Sequence, residues 1–158
     1  MPETEIQTED QVRNEAGHCS ICELRTTTPG ESVIYTDDLW TVMLVLDVPG
    51  WLMVTANRHS DDWLWGMSDQ EASTLGPLIQ RLSASVRAEA DAERVYLMGF
   101  GEKMQHFHFM LLSRSESTPT DLRGPGMLAH APELADRDEA FRTGARIRAG
   151  LANARREL

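Results

Sequence analysis

Positive charge, cysteine and long apolar runs are all scarce in this chain, and each shortage excludes a class of protein. Fifteen Lys plus Arg face 25 Asp plus Glu, a formal net charge of −10. That balance argues against nonspecific binding to a nucleic-acid backbone, which depends on cations releasing condensed counterions. A small anionic ligand stays open, since one site needs only local positive potential. The longest apolar run, roughly Val42 to Val48 and broken at Asp47, is far short of the ~20 residues that cross a bilayer. The stretch Met1-Pro2-Glu3-Thr4-Glu5 has neither the basic nor the apolar part of a secretory leader. The expectation is a cytoplasmic protein with no membrane or nucleic-acid partner. No internal repeat is visible. The two cysteines form Cys19-Ser20-Ile21-Cys22, a spacing that in a cytosolic chain suggests metal or redox chemistry rather than a structural disulfide.

With 158 residues, 41% of them hydrophobic, the chain can bury one ordinary core. Residues 1–16 are polar and acidic and read as a flexible lead-in. Residues 17–126 read as the principal domain, and 127–158 as a loop and helix packed on it. Val33-Ile34-Tyr35 and Trp40 to Leu44, separated by Asp37-Asp38, predict a hairpin, and Trp51 to Thr55 a third strand after Pro49-Gly50. Ser68 and Glu71 have capping-box spacing before Leu75, Leu78, Ile79, Leu82 and Val86, predicting a helix over about 69–90. Pro77 either kinks its first turns or moves the regular helix start towards Gly76. Val95 to Met98 resumes strand character. Gln105 to Leu112 predicts a strand with His106, His108 and Met110 on one face and Phe107, Phe109 and Leu111 on the other. Arg137 to Leu158 predicts a charged helix whose arginines form an exposed face or support a dimer.

Several of these residues admit both a plain and a chemical reading. His106 and His108 are either polar residues on the solvent side of a half-buried strand or parts of a reactive surface. Cys19 and Cys22 are two buried thiols or half of a four-ligand zinc site, whose other ligands must come from His18, His59, His106, His108 or His130. Gly99 to Met104 is a glycine turn, or it brings backbone N–H groups and Lys103 to an anion. Asp47 caps a turn or accepts hydrogen bonds from sugar hydroxyls. The tryptophans are core residues by type, and only Trp40 stands where a nucleoside pocket is expected.

In order and spacing these pieces resemble the histidine-triad superfamily over roughly residues 19–126. The best stretch is Phe100-Gly101-Glu102-Lys103-Met104-Gln105-His106-Phe107-His108-Phe109-Met110-Leu111-Leu112-Ser113-Arg114, similar to a bacterial subgroup. Pro49-Gly50-Trp51 through Asn57-Arg58-His59, and Arg123-Gly124-Pro125, look like the same subgroup. The resemblance implies an α+β fold: an antiparallel sheet with a long helix packed on it and a C-terminal helix. It also implies a nucleotidyl hydrolase or transferase acting on the α-phosphate of a nucleoside phosphate conjugate through a nucleotidyl-histidine. His108 takes the nucleophile's place, and Asp47, Gly101, Glu102, Lys103 and Met110 the substrate-binding places. Structural zinc falls to Cys19, Cys22, His59 and His106, and a homodimer is a further implication.

The departures matter as much. Met110 replaces the third histidine, and a thioether cannot donate a hydrogen bond. Glu102 stands where many members have Gln, Gln105 replaces a common Pro, and Ser113 replaces the Pro before the arginine. The rivals are a nucleotide-binding module without rapid turnover, a pathway-specific enzyme acting on a non-nucleotide ligand, and a zinc-dependent redox protein.

Overall fold

The structure, a computed structural model, describes residues 19–154. The expected lead-in 1–16, His18 and the end of the expected C-terminal helix lie outside them. Among the described residues the first helix, α1, is Ser20–Thr27. Five strands follow: β1 (Val33–Thr36), β2 (Trp40–Leu44), β3 (Leu52–Ala56), β4 (Arg94–Met98) and β5 (His108–Arg114). They form one sheet of order β1-β2-β3-β5-β4 in which every neighbouring pair is antiparallel. A long helix, α2 (Asp69–Glu89), joins β3 to β4, and a short α3 (Ala131–Leu134) precedes the terminal α4 (Arg137–Ala154).

Period-two alternation divides the sheet. One face carries Trp40, Val42, Leu52, Val54, Phe109 and Leu111 against Leu78, Leu82 and Val86 of α2 and Ile147 and Leu151 of α4, which together form the main core. The capping box fixes where α2 begins: Ser68 Oγ accepts from the Glu71 N–H at 3.2 Å and Glu71 Oε2 accepts from the Ser68 N–H at 2.7 Å. The helix therefore starts at Asp69 and runs through Pro77, not from Gly76. In α4, Arg148 leaves the expected exposed face. Its guanidinium donates to the carbonyls of Glu31 (2.6 Å) and Val33 (2.7 Å), which ties α4 to the outer strand β1.

The opposite face is the unusual one. Met43 on β2, Met53 on β3, Met110 on β5 and Met98 on β4 are register partners in turn, so a row of four methionines crosses the sheet. One step along, Thr36, Thr41, Thr55 and His108 form a second row. His108 ends that row because β4 stops at Met98, opposite Met110. The chain then leaves as the Gly99–Lys103 turn, and a gap opens beside the histidine.

The turn into β3 is equally constrained. Gly50 has φ +75°, and a Cβ there would lie 2.5 Å from the Ala90 Cβ and 2.8 Å from Ser113 Oγ. Gly50→Ala combines a left-handed backbone with overpacking, and should cost about 3 kcal/mol, lowering Tm by about 10 °C. Thermal denaturation checks this; an unchanged Tm contradicts the close approach.

Candidate active site and metal centre

Cys19 occupies the N-cap position of α1 and Cys22 lies in its first turn, so the two thiols share one side of the helix. Ile21 between them is fully buried against Met43 and Met53, which seats α1 on the methionine face. Arg25 of α1 donates to the Asn57 carbonyl at 2.7 Å, joining the helix to the segment that carries His59. The result is a cluster of Cys19, Cys22, His59 and His106 whose ligand atoms all lie within 4.8 Å of one another.

The distances fit a zinc ion. With bonds of about 2.3 Å to sulfur and 2.0–2.1 Å to nitrogen, a tetrahedron has S···N edges of about 3.6 Å. The observed edges are 3.4 Å from Cys19 Sγ to His106 Nδ1, 3.4 Å from Cys22 Sγ to the same nitrogen, and 3.5 Å from Cys22 Sγ to His59 Nδ1. The ring protons fit as well. His106 Nε2 donates to the Ala56 carbonyl at 2.7 Å, so the Nδ1 of a neutral ring presents a lone pair to the thiols. His59 Nε2 lies 3.1 Å from Asp61 Oδ1, the carboxylate support that orients a metal-binding imidazole. Burial above all pushes the His106 imidazole below the ordinary histidine range, with His59, Arg25 and His108 adding to it and the Ala56 carbonyl opposing. Burial, then Cys19, push the Cys22 thiol up. A divalent cation at the centre stabilises the thiolates instead. The four residues are thus positioned as a zinc site, and the ion would supply rigidity there, since four protein ligands leave no position for substrate.

Holding the buried His106 (1% exposed) in this cluster changes the strand that follows it. β5 begins at His108 rather than at the expected Gln105; the chain bends at His106 before it. The Ala56 N–H still donates to the Phe107 carbonyl at 3.1 Å, so the bend remains attached to β3. One residue after it, His108 Nδ1 donates to the His106 carbonyl at 2.8 Å. In the neutral ring this places the lone pair on Nε2.

His108 lies in a cleft of about 360 Å³. The Gly99–Met104 segment, with Glu102 and Lys103, lines it together with Met98, Met110 and Leu128, and most of the lining is apolar. Lys103 is the sole lysine of the chain. The structure thus brings together five residues that the sequence analysis groups: His108, Gly101, Glu102, Lys103 and Met110. Asp47 is placed elsewhere. It sits in the β2–β3 loop with φ +54°, its carboxylate held by Arg137 at 3.2 and 3.3 Å.

Trp40 does not stand at a nucleoside pocket. It is 1% exposed, packs edge-on to Phe107, and its Nε1 donates to Thr74 Oγ1 at 2.9 Å. Trp63 is the tryptophan at the site. Its ring lies 5.3 Å from both His108 and Phe107, edge to face. A Cβ on Gly101, where φ is +67°, would come within 2.8 Å of that indole. Trp63 itself has φ +48°, a strained conformation of the kind that accumulates at functional sites. The sequence signals it only as an aromatic between a strand and a helix start.

No protein-family model and no curated protein sequence matches the chain. Solved structures do match. A Zn-bound histidine triad family protein from Mycobacterium smegmatis aligns at a TM-score of 0.64 and 18% identity, covering 90% of this chain and 99% of its own. A hypothetical histidine triad nucleotide-binding protein from Sulfolobus tokodaii aligns at 0.65 and 16% identity, covering 89% and 96%. This chain has the histidine-triad fold. A uridylyltransferase structure also contains the fold, at a TM-score of 0.64 and 16% identity over 92% of this chain but only 48% of the uridylyltransferase. The antiparallel sheet, long helix and C-terminal helix expected from the sequence are those of the histidine-triad fold, and the Cys2His2 cluster stands at one end of its sheet.

Proposed function

We propose that this histidine-triad protein is a nucleotidyl hydrolase or transferase with a structural zinc. The observation that carries the reading is the tautomer lock on His108: Nδ1 donates to the His106 carbonyl, so Nε2 is the nitrogen with a lone pair, in a ring that lines the cleft. Nε2 attacks the α-phosphorus of a nucleoside phosphate conjugate, the bond to the leaving group breaks, and a nucleotidyl-histidine forms. Water or a second acceptor then takes the nucleotidyl group and restores the imidazole. Lys103 and the backbone N–H groups of residues 101–104 hold the phosphate and stabilise its developing charge. Asp47, whose carboxylate Arg137 holds, is assigned no ligand.

Trp63 positions the reactive ring in this reading. Gly101→Ala forces the indole to move, and a displacement near 1 Å at a reacting group costs on the order of 10²-fold in rate. The variant is expected to keep its fold by circular dichroism and lose about that much turnover; full activity contradicts the positioning role.

A second reading, a nucleotide-binding module without rapid turnover, is favoured by two side chains at the cleft, the thioether of Met110 and the carboxylate of Glu102. Fluorogenic adenylyl and uridylyl conjugates decide between the two. Turnover that vanishes in His108→Ala but persists in Cys19→Ser at low temperature supports the enzyme. Micromolar nucleotide binding without turnover across the panel supports the module.

A further inference from the structure

The segment between β3 and α2 touches both halves of the site. Its beginning is pinned to the sheet: the Asn57 N–H donates to the Leu39 carbonyl at 2.7 Å, and Asn57 Oδ1 accepts from Thr41 Oγ1 at 2.7 Å. Arg58 draws the far end back onto this start. Its guanidinium donates to the Gly66 carbonyl at 2.6 Å and to both carboxylate oxygens of Glu71, at 3.2 and 2.8 Å. Glu71 is buried and also caps α2, so both ends of the segment are fixed to the fold without any help from the cysteines.

Between those anchors the segment meets the stretch from His106 to His108 at two points. His59 stands edge-on to His106 with ring centroids 5.3 Å apart, and Trp63 stands edge-on to both Phe107 and His108 at the same distance. The two contacts differ in kind. Trp63 is wedged against Gly101, Phe107 and His108, with a left-handed φ of +48° that a bulky aromatic adopts only when its surroundings impose it. The His59 side chain is 45% exposed, and it meets the cysteines through Cys22 Sγ at 3.5 Å. A neutral thiol is a weak hydrogen-bond partner, whereas the same nitrogen on a zinc ion is held at about 2.0–2.1 Å. The Asp61 carboxylate on its other nitrogen belongs to the segment and moves with it. Ser60, Asp61 and Asp62 alone separate His59 from Trp63. The Asp62 N–H donates to Ser60 Oγ at 3.2 Å and the Gly66 N–H to the Asp62 carbonyl at 3.0 Å, which leaves the connection little slack.

We infer that residues 59–66 form a metal-responsive strap, in which occupancy of the Cys2His2 cluster holds His59 inward and the short tether behind it keeps Trp63 in its strained backbone against His108. Emptying the cluster releases that end of the strap, lets the Trp63 backbone relax and takes the indole off the His108 ring. Arg58 and Glu71 keep the other attachments in either state, so the change is confined to the strap. Metal occupancy thereby sets the surroundings of His108 from the outside, by a route separate from the His106 backbone. The inference rests on the metal centre and is independent of which conjugate the cleft accepts.

The test is fluorine NMR of the full-length protein labelled with fluorotryptophan, zinc-loaded and after chelation, with the resonances of the four tryptophans assigned by single Trp→Phe variants. The Trp63 resonance is expected to shift on chelation and to return when zinc is restored. Trp51, packed with Val48 and Leu112 away from the strap, is expected to hold its position. A variant with two glycines inserted between Ser60 and Asp61 separates the strap from the His106 route, because it keeps all four ligands and adds slack. It is expected to bind one zinc per chain, to show Trp63 near its chelated position even when loaded, and to lose the response to chelation. A Trp63 resonance that stays put while wild type loses its zinc, or one that responds in the insertion variant as it does in wild type, overturns the inference and leaves the metal centre standing. A wild-type chain that takes up no zinc overturns both. Turnover of nucleotidyl conjugates is measured separately and bears on the proposed chemistry alone.

Discussion

Chelation is expected to lower the Tm of this protein by about 10 °C, and Cys22→Ser to reproduce the loss without chelator. An ion that binds only the folded state adds stability as RT ln(1 + [L]/Kd), about 4 kcal/mol at a thousandfold excess over Kd. For a chain of this size that corresponds to a Tm change of about 10 °C. The effect stops short of unfolding because the main core between the sheet and the helices α2 and α4 does not involve the cluster. What loosens is α1, held by Ile21 and Arg25, and the bend at His106 that leads into the reactive strand. Differential scanning fluorimetry with and without chelator, together with zinc analysis of wild type and Cys22→Ser, checks this. One zinc per wild-type chain and none in the variant is the expected content. A Tm that ignores both chelator and substitution contradicts the site. Chelator-independent thiol reactivity would instead favour the redox rival, since thiolates bound to zinc are shielded.

His108→Ala is expected to cut turnover of nucleotidyl conjugates by a factor on the order of 10³ or more, the scale on which removal of a covalent nucleophile is felt. The same variant should keep its zinc and a Tm near that of wild type, because His108 is half-buried at a strand edge and touches neither thiol. His106→Ala, two residues away, should do the reverse: lose the metal and destabilise the fold by taking a ligand and a fully buried ring. The pair of variants separates two histidines that look equivalent in the sequence. Equal kinetic and metal losses in both would mean that the division of labour between them is wrong.

That division shows what was legible in the chain. The helix over 69–89 is written locally, in the capping box at Ser68 and Glu71 and the apolar spacing from Leu75 to Val86, and the hairpin and the third strand are likewise local. The four clustered ligands come from three separate stretches, 19–22, 59 and 106, and only their likeness to a known order links them before the fold does. Where β5 begins was not legible, because a period-two pattern says nothing of a bend imposed by tying His106 to Ala56 and the thiols. The methionine row is invisible for a different reason: its members are spread from 43 to 110, and only strand pairing puts them side by side. Trp63 and Trp40 exchange places as site and core because their environments are set by Gly101, Phe107 and Thr74, all distant in sequence. Asp47 shows the converse, a residue of suitable chemistry whose carboxylate the start of α4 holds.

The two halves of the site depend on each other. The His106 ring, anchored among Cys19, Cys22 and His59, fixes the backbone carbonyl that accepts a hydrogen bond from His108 Nδ1, so the Cys2His2 cluster would set the tautomer of the proposed nucleophile without touching substrate. Intact-mass spectrometry after brief mixing with the adenylyl and uridylyl conjugates tests this account most directly. A single added nucleotidyl mass is expected on the wild-type chain, absent in His108→Ala and reduced in His106→Ala. No adduct on the wild type under conditions where conjugate is consumed, or an adduct that survives His108→Ala, would contradict it.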